Sequence, residues 1–268
     1  MEAPGPWVGG FALAEPADYD NAFFQISCRA LSVRQALGVP DALKTELHLF
    51  STPGPGFDIK WILGACREIL RGRQGETIAY LPQASLAADK WLKETERSFG
   101  EVARIELVDL ETMEVREMES VLRRAAAVYI PGGNAFLLNH RLHTSHLMPH
   151  LRKMVQKGLP VVAFSAGAVV CGENVLTSND LNMVPTTHFT GLQLSPFNFN
   201  VHYTDSAQRD EWLVDYHAFH DNPVIMLEDG AYVKVNGKAT TLVRGEAWCW
   251  RAGSEKAKLA PGKPISPR

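Results

Sequence analysis

The sequence predicts an α/β fold: a mostly parallel sheet with helices on both faces. Three observations predict it. Short apolar, β-branched runs alternate with longer amphipathic runs; Gly- or Pro-rich turns follow several of the short runs; and this rhythm breaks only after Cys171, where alternating strands take over. In such a sheet, ligands bind beyond the carboxyl ends of the strands.

A chain of 268 residues, 46% of them hydrophobic, can bury a full core. The reading is one α/β domain over residues 45–268 behind an N-terminal extension, residues 1–44. Lys+Arg 27 against Asp+Glu 30 leaves a net charge of -3, with no basic surplus to neutralise phosphates, so nucleic acid is not expected as a partner. The four cysteines, Cys28, Cys66, Cys171 and Cys249, are far apart and form no Cys-x-x-Cys pair, which fits a reducing cytoplasm better than a zinc knuckle or a disulfide framework. No leader and no membrane span is expected.

Residues 1–44 begin rich in Pro and Gly and then predict a helix from about Phe23 to Leu37. The first βα unit pairs the strand Glu46–Phe50, across the loop Thr52–Gly56, with a helix from about Asp58 to Arg71. Thr77–Leu81 is the second strand and Ser85–Phe99 its helix; Arg104–Val108 is the third, followed by a helix over Met113–Arg124. Ala127–Ile130 ends in Pro131-Gly-Gly-Asn134 before the amphipathic run Ala135–Asn139. Glycines after a strand let backbone N–H groups face a ligand, and Gly133 could donate to an oxyanion, although a Gly-Gly turn alone is weak evidence.

The stretch Pro160–Cys171 carries the chemistry. Val161–Phe164 reads as a buried strand that stops at Ser165 and passes at once into small residues able to start a helix. Such a turn lifts the serine clear of the sheet, with the N–H groups of the following helix beside its hydroxyl, as in a nucleophile elbow lacking its first glycine. The same window also fits a tightly packed strand-turn-helix with a buried serine, and the residues by themselves leave both open. Cys171, nearly two turns on, reads as core.

Beyond the elbow, Phe197–Tyr203 alternates like a strand, Ser206–His220 predicts a helix capped by Ser206, and Pro223–Leu227, Ala231–Val235 and Thr240–Val243 read as antiparallel strands with a hairpin turn at Asn236-Gly237. A serine nucleophile needs a base and an acid to orient it, for which His202 and Asp180 are the first candidates. His140, His143, His146 and His150 have spacings a metal site could use, but Pro149 interrupts the helix and no acidic residue lies between them, so they read as a solvated helix pair.

Four blocks in register, Pro131-Gly-Gly-Asn-Ala-Phe136, Phe164-Ser-Ala-Gly-Ala168, Thr177-Ser-Asn-Asp180 and Asn200-Val-His-Tyr-Thr204, resemble the motifs of the peptidase E (α-aspartyl dipeptidase) family of serine peptidases, which includes the cyanophycinases. The resemblance runs from about Leu47 to about Gly245. It implies a fold similar to class I glutamine amidotransferases, a flavodoxin-like three-layer sandwich with a small antiparallel C-terminal part. It implies Ser165 as nucleophile, His202 as base and Asp180 as the orienting acid, with oxyanion donors at Gly133 and Ala166. In some members the third residue is a glutamate from a later strand end, where this chain offers Asp229 as the rival to Asp180. Asn134 and Arg209 would contact the substrate, Arg209 near the arginine that pairs with the substrate aspartate in the aspartyl dipeptidases, although the loop Tyr203–Gln208 is shorter than theirs. The expected activity is hydrolysis of dipeptides or short peptides, including those with an N-terminal Asp, without metal or organic cofactor, by a cytoplasmic monomer or homodimer. A cyanophycin-like or isoaspartyl amide as substrate, and a non-catalytic binding protein of the same fold, are the alternatives.

Overall fold

The computed structural model describes residues 44–71 and 76–267, all within one compact unit. The extension, its expected helix and Cys28 lie outside the described residues.

Five parallel strands form one side of the main sheet, with β3 at its edge: β1 (Glu46–Phe50), β2 (Thr77–Tyr80), β3 (Arg104–Leu107), β4 (Ala127–Ile130) and β5 (Val161–Phe164). Three antiparallel strands, β8 (Tyr232–Asn236), β9 (Ala239–Arg244) and β12 (Pro264–Ile265), extend it to eight in the order β12-β9-β8-β1-β5-β4-β2-β3. Because side chains alternate along a strand, β5 serves two cores at once. Val161 and Ala163 join one core with Leu49, Val128 and residues of helices α3 (Val115–Arg124), α4 (Ala135–Thr144) and α5 (Met148–Gln156). Val162 joins the opposite core with Tyr129 and residues of α1 (Lys60–Leu70), closed by Phe99 of α2 (Ala88–Phe99). Val161, Val162 and Ala163 are fully buried, each valine worth up to roughly 1.5–3 kcal/mol, so a polar substitution there would unseat both layers.

Local chemistry sets the element ends. A capping box at Glu114 and Glu117 starts α3. Pro149 lies in the first turn of α5, where a missing N–H costs least, so the histidine-rich stretch splits into two helices. Its side chains diverge: His143 reaches the Thr190 carbonyl at 2.9 Å and His150 pairs with Glu119.

The C-terminal part departs from the sequence reading in one respect. A second sheet of four strands runs β11-β10-β7-β6, with β6 (Asn198–Val201), β7 (Val224–Leu227), β10 (Ala247–Trp250) and β11 (Ala257–Lys258). β7 was expected among antiparallel strands, yet it runs parallel to β6 and antiparallel only to β10. The helix α7 (Ala207–His217) supplies the crossover that a parallel pair needs. Ser206 stands at its N-cap but makes no capping bond through its side chain. Among the described residues no helix is long and apolar enough to cross a membrane.

Candidate active site

Ser165 stands between the end of β5 and the short helix α6 (Ala166–Val169), with φ 52 and ψ −120. A non-glycine residue at positive φ is strained, and the neighbours over-determine it: the Ser165 N–H continues the ladder to the Phe50 carbonyl at 3.0 Å, while its own carbonyl accepts from Ala168 and Val169. Gly167 allows α6 to lie against the sheet, since a Cβ there would sit 2.2 Å from the Ile130 carbonyl oxygen.

The hydroxyl of Ser165 lies 3.0 Å from His202 Nε2, and His202 Nδ1 lies 2.6 Å from Asp229 Oδ1. A carboxylate can only accept, so Asp229 fixes the proton on Nδ1 and leaves Nε2 free to accept from Ser165. Asp229 follows β7 in the tight turn ahead of β8, at Gly230 φ 91.

The orienting acid expected first, Asp180, is elsewhere. Its Oδ2 accepts the Ala135 N–H at 2.7 Å and the Ser178 hydroxyl at 2.9 Å, so it is held at the N-terminus of α4, where a helix favours negative charge. Asn134 is committed likewise: Oδ1 caps Leu137 at 2.9 Å and Nδ2 donates to the Leu181 carbonyl at 2.9 Å. Arg209 donates through Nη2 to the His202 carbonyl at 2.7 Å and lies over the Trp212 ring, and burial lowers the pKa of its guanidinium. These three residues support the scaffold with the polar atoms expected to meet substrate or histidine.

Gly133, with φ 141, lies against Ala84, whose carbonyl oxygen would be 2.3 Å from a Cβ at this position. Gly132 sits against Ser165, a Cβ there falling 3.0 Å from the serine Cβ. The Gly132-Gly133 backbone thus borders the hydroxyl, beside the first N–H groups of α6, which a helix leaves without internal partners.

Ser51 escaped the sequence reading. Fully buried at the end of β1, its Oγ accepts the His202 N–H at 2.9 Å and lies 3.2 Å from the Leu227 carbonyl and 3.4 Å from Asp229 Oδ1. Thr52 Oγ1 accepts the Gly230 N–H at 3.1 Å. Ser51 and Arg209 therefore grip His202 by its N–H and its carbonyl, and hold it at φ 52. The only available signal was a pair of hydroxyls directly after a core strand, at the sheet edge where ligands bind. Ser51→Ala leaves the His202 N–H unpaired, and we expect kcat for a cleaved peptide to fall about ten-fold with KM within two-fold, a modest misplacement cost; steady-state kinetics check it.

Behind the histidine, Lys256 joins Asp205, Asp210 and the Tyr203 hydroxyl. Burial, then the hydrogen bond to Asp210, pushes the Tyr203 hydroxyl up to about 12, so it stays a donor. Burial likewise pushes the Cys171 thiol up to about 12, which leaves it inert. Among the described residues one cluster has metal-ligand spacing, Glu46, His48 and Glu68, and Lys234 already bridges its two carboxylates. It lies apart from Ser165 and shares no residue with its cavity.

A cavity of about 620 Å³ opens beside Ser165, lined by Gly132, Gly133 and His202 and by the rings of Tyr80, Tyr129 and Phe164. The arrangement is an alcohol poised toward an imidazole that a carboxylate orients, next to a turn rich in backbone donors and a chamber large enough for a small molecule.

Residues 58–243 match the model of peptidase family S51. The protein named "Probable alpha-aspartyl dipeptidase" of Drosophila melanogaster is 33% identical over 208 residues, which cover 74% of this chain and 85% of that one. "Peptidase E" of Nostoc sp. is 31% identical over 55% of this chain and 64% of its own. In the solved structures, a peptidase from an acI-B1 Actinobacterium superposes with a TM-score of 0.61 at 15% identity, covering 84% of this chain and 97% of that one, a likeness of fold.

Proposed function

Because this chain belongs to peptidase family S51, we propose that it is a serine-type hydrolase of dipeptides or short peptides, in which Ser165, His202 and Asp229 form the catalytic triad. The 3.0 Å separation of Ser165 Oγ and His202 Nε2 carries this reading. Ser165 attacks the scissile carbonyl as His202 takes its proton; the imidazolium, stabilised by Asp229, returns that proton to the departing amine, leaving an acyl-enzyme. Water, activated by the same imidazole, then releases the acid. The N–H groups of Gly133 and Ala166 receive the charge that develops on the carbonyl oxygen, a contribution of about 10²–10³ in kcat for a single such donor. No step calls on a metal or organic cofactor. The enzyme works in a reducing cytoplasm, in keeping with the free thiols at Cys66, Cys171 and Cys249.

Fluorophosphonate treatment tests the reading. The expected result is a single adduct that peptide mass mapping assigns to Ser165 and that abolishes dipeptide hydrolysis. Dipeptide hydrolysis persisting in fully modified protein, or dipeptides bound but never cleaved, would overturn it.

A further inference from the structure

The carboxylate that orients His202 has little to hold it by its own contacts. Asp229 is 68% exposed, and among the described residues its Oδ1 meets only the imidazole and, at 3.4 Å, the Ser51 hydroxyl. A side chain so open to water keeps its place only if the backbone that carries it is fixed by its surroundings. The geometry of the triad is therefore decided in the turn Glu228–Ala231.

That turn is closed from two sides. From the end of β1, the Ser51 N–H donates to the Ala231 carbonyl at 3.0 Å, and Thr52 Oγ1 accepts the Gly230 N–H at 3.1 Å. From the end of β9, Arg244 donates through Nε to the Gly230 carbonyl at 3.3 Å. Gly245, at φ 83, lets the chain after β9 lie against the turn, since a Cβ there would fall 2.5 Å from the Ala231 Cα.

A β-bulge aims Arg244 at this place. Leu242 stands opposite Val233, but the next pair is Arg244 with Tyr232, so Val243 is an extra residue in β9. In regular alternation Arg244 would share the face of Leu242, toward the core of α3, α4 and α5; the bulge gives it the face of Tyr232, toward α1. There its guanidinium lies 3.6 Å from the centroid of the Trp61 ring, and the same ring covers the turn, with Cη2 3.6 Å from where a Cβ on Gly230 would be. The Arg244 Nη2 is buried and, among the described residues, makes no hydrogen bond. A buried donor left unpaired is destabilising, and such groups are kept where their placement serves a site.

We propose that Arg244, laid over Trp61, is a positioning residue: it fixes the Gly230 carbonyl and through that turn holds Asp229 on His202 Nδ1. The inference rests on the triad of Ser165, His202 and Asp229. The rate at which a fluorophosphonate modifies Ser165 in the full-length protein tests it, whichever peptide is the substrate. Ser165 Oγ bonds to phosphorus, fluoride leaves and His202 takes the hydroxyl proton, so the rate reads how well the imidazole is oriented. Arg244→Ala should lower it about ten-fold, a misplacement cost. Arg244→Lys, which keeps the cation but gives up the fixed Nε donor, should lower it about three-fold, and it carries the test alone if the alanine variant does not fold. In an Asp229→Asn background either substitution should cost under about two-fold, because no orienting carboxylate remains to be placed. A scaffold role alone gives the same fractional loss in both backgrounds; that result, or Arg244→Ala labelled at the parent rate, overturns the inference. Asp229→Asn labelled as fast as the parent overturns the triad and the inference with it. The expected pattern in a protein that cleaves no dipeptide upholds the inference and overturns the peptidase reading alone.

Discussion

Ser165→Ala is expected to lower kcat/KM for a cleaved dipeptide by about 10⁴–10⁶-fold, the range over which loss of a triad serine leaves only binding and oxyanion stabilisation. The fold should survive. Alanine keeps the strained φ of 52 and forfeits one partly exposed hydrogen bond to His202, so unfolding free energy should change by no more than about 1 kcal/mol. Ser165→Gly separates strain from chemistry: it should be as inactive as the alanine variant yet more stable than that variant by about 1 kcal/mol, since glycine occupies positive φ without penalty. Urea unfolding beside the kinetic assay checks both. A Ser165→Ala protein within ten-fold of the parent rate would remove the serine from the mechanism.

Much of this architecture was legible because it is local. Val161–Phe164 followed by small residues reads directly as a strand ending in a tight turn, and Pro149 marks where the histidine-rich helices part. Asn236-Gly237 likewise marks the hairpin of β8 and β9. What escaped the sequence was pairing at a distance. Nothing in Val224–Leu227 states that it will lie parallel to Asn198–Val201, since that depends on α7 crossing between them. Ser51 and His202 are 151 residues apart, and Asp229, which only the family resemblance offered as the rival acid, reaches the imidazole where the ends of β7 and β1 meet. Asp180 stands away from the imidazole for a related reason: Thr177-Ser-Asn-Asp180 is a polar loop beside the elbow in sequence, and its carboxylate is engaged by the buried N–H of Ala135 at the start of α4.

Those two carboxylates yield the sharpest separation of roles. Asp229→Asn should lower kcat by about 10³-fold with little change in KM, because an amide in that position can donate to Nδ1 and so favour the tautomer with its proton on Nε2, facing the serine. The expected loss falls somewhat below the ~10⁴ typical of a buried orienting aspartate, since Asp229 is 68% exposed and water can take part of its place. Asp180→Asn should behave oppositely. It exchanges a carboxylate that accepts from Ala135 and Ser178 for a neutral acceptor, which costs about 1–2 kcal/mol of stability through the start of α4 and leaves kcat within ten-fold. A double variant should then combine the kinetic loss of one with the stability loss of the other, because the two carboxylates share no hydrogen-bond partner. If Asp180→Asn proves the catalytic defect and Asp229→Asn the merely unstable protein, the histidine is oriented from the α4 side during turnover, and the triad would have to include Asp180 in place of Asp229.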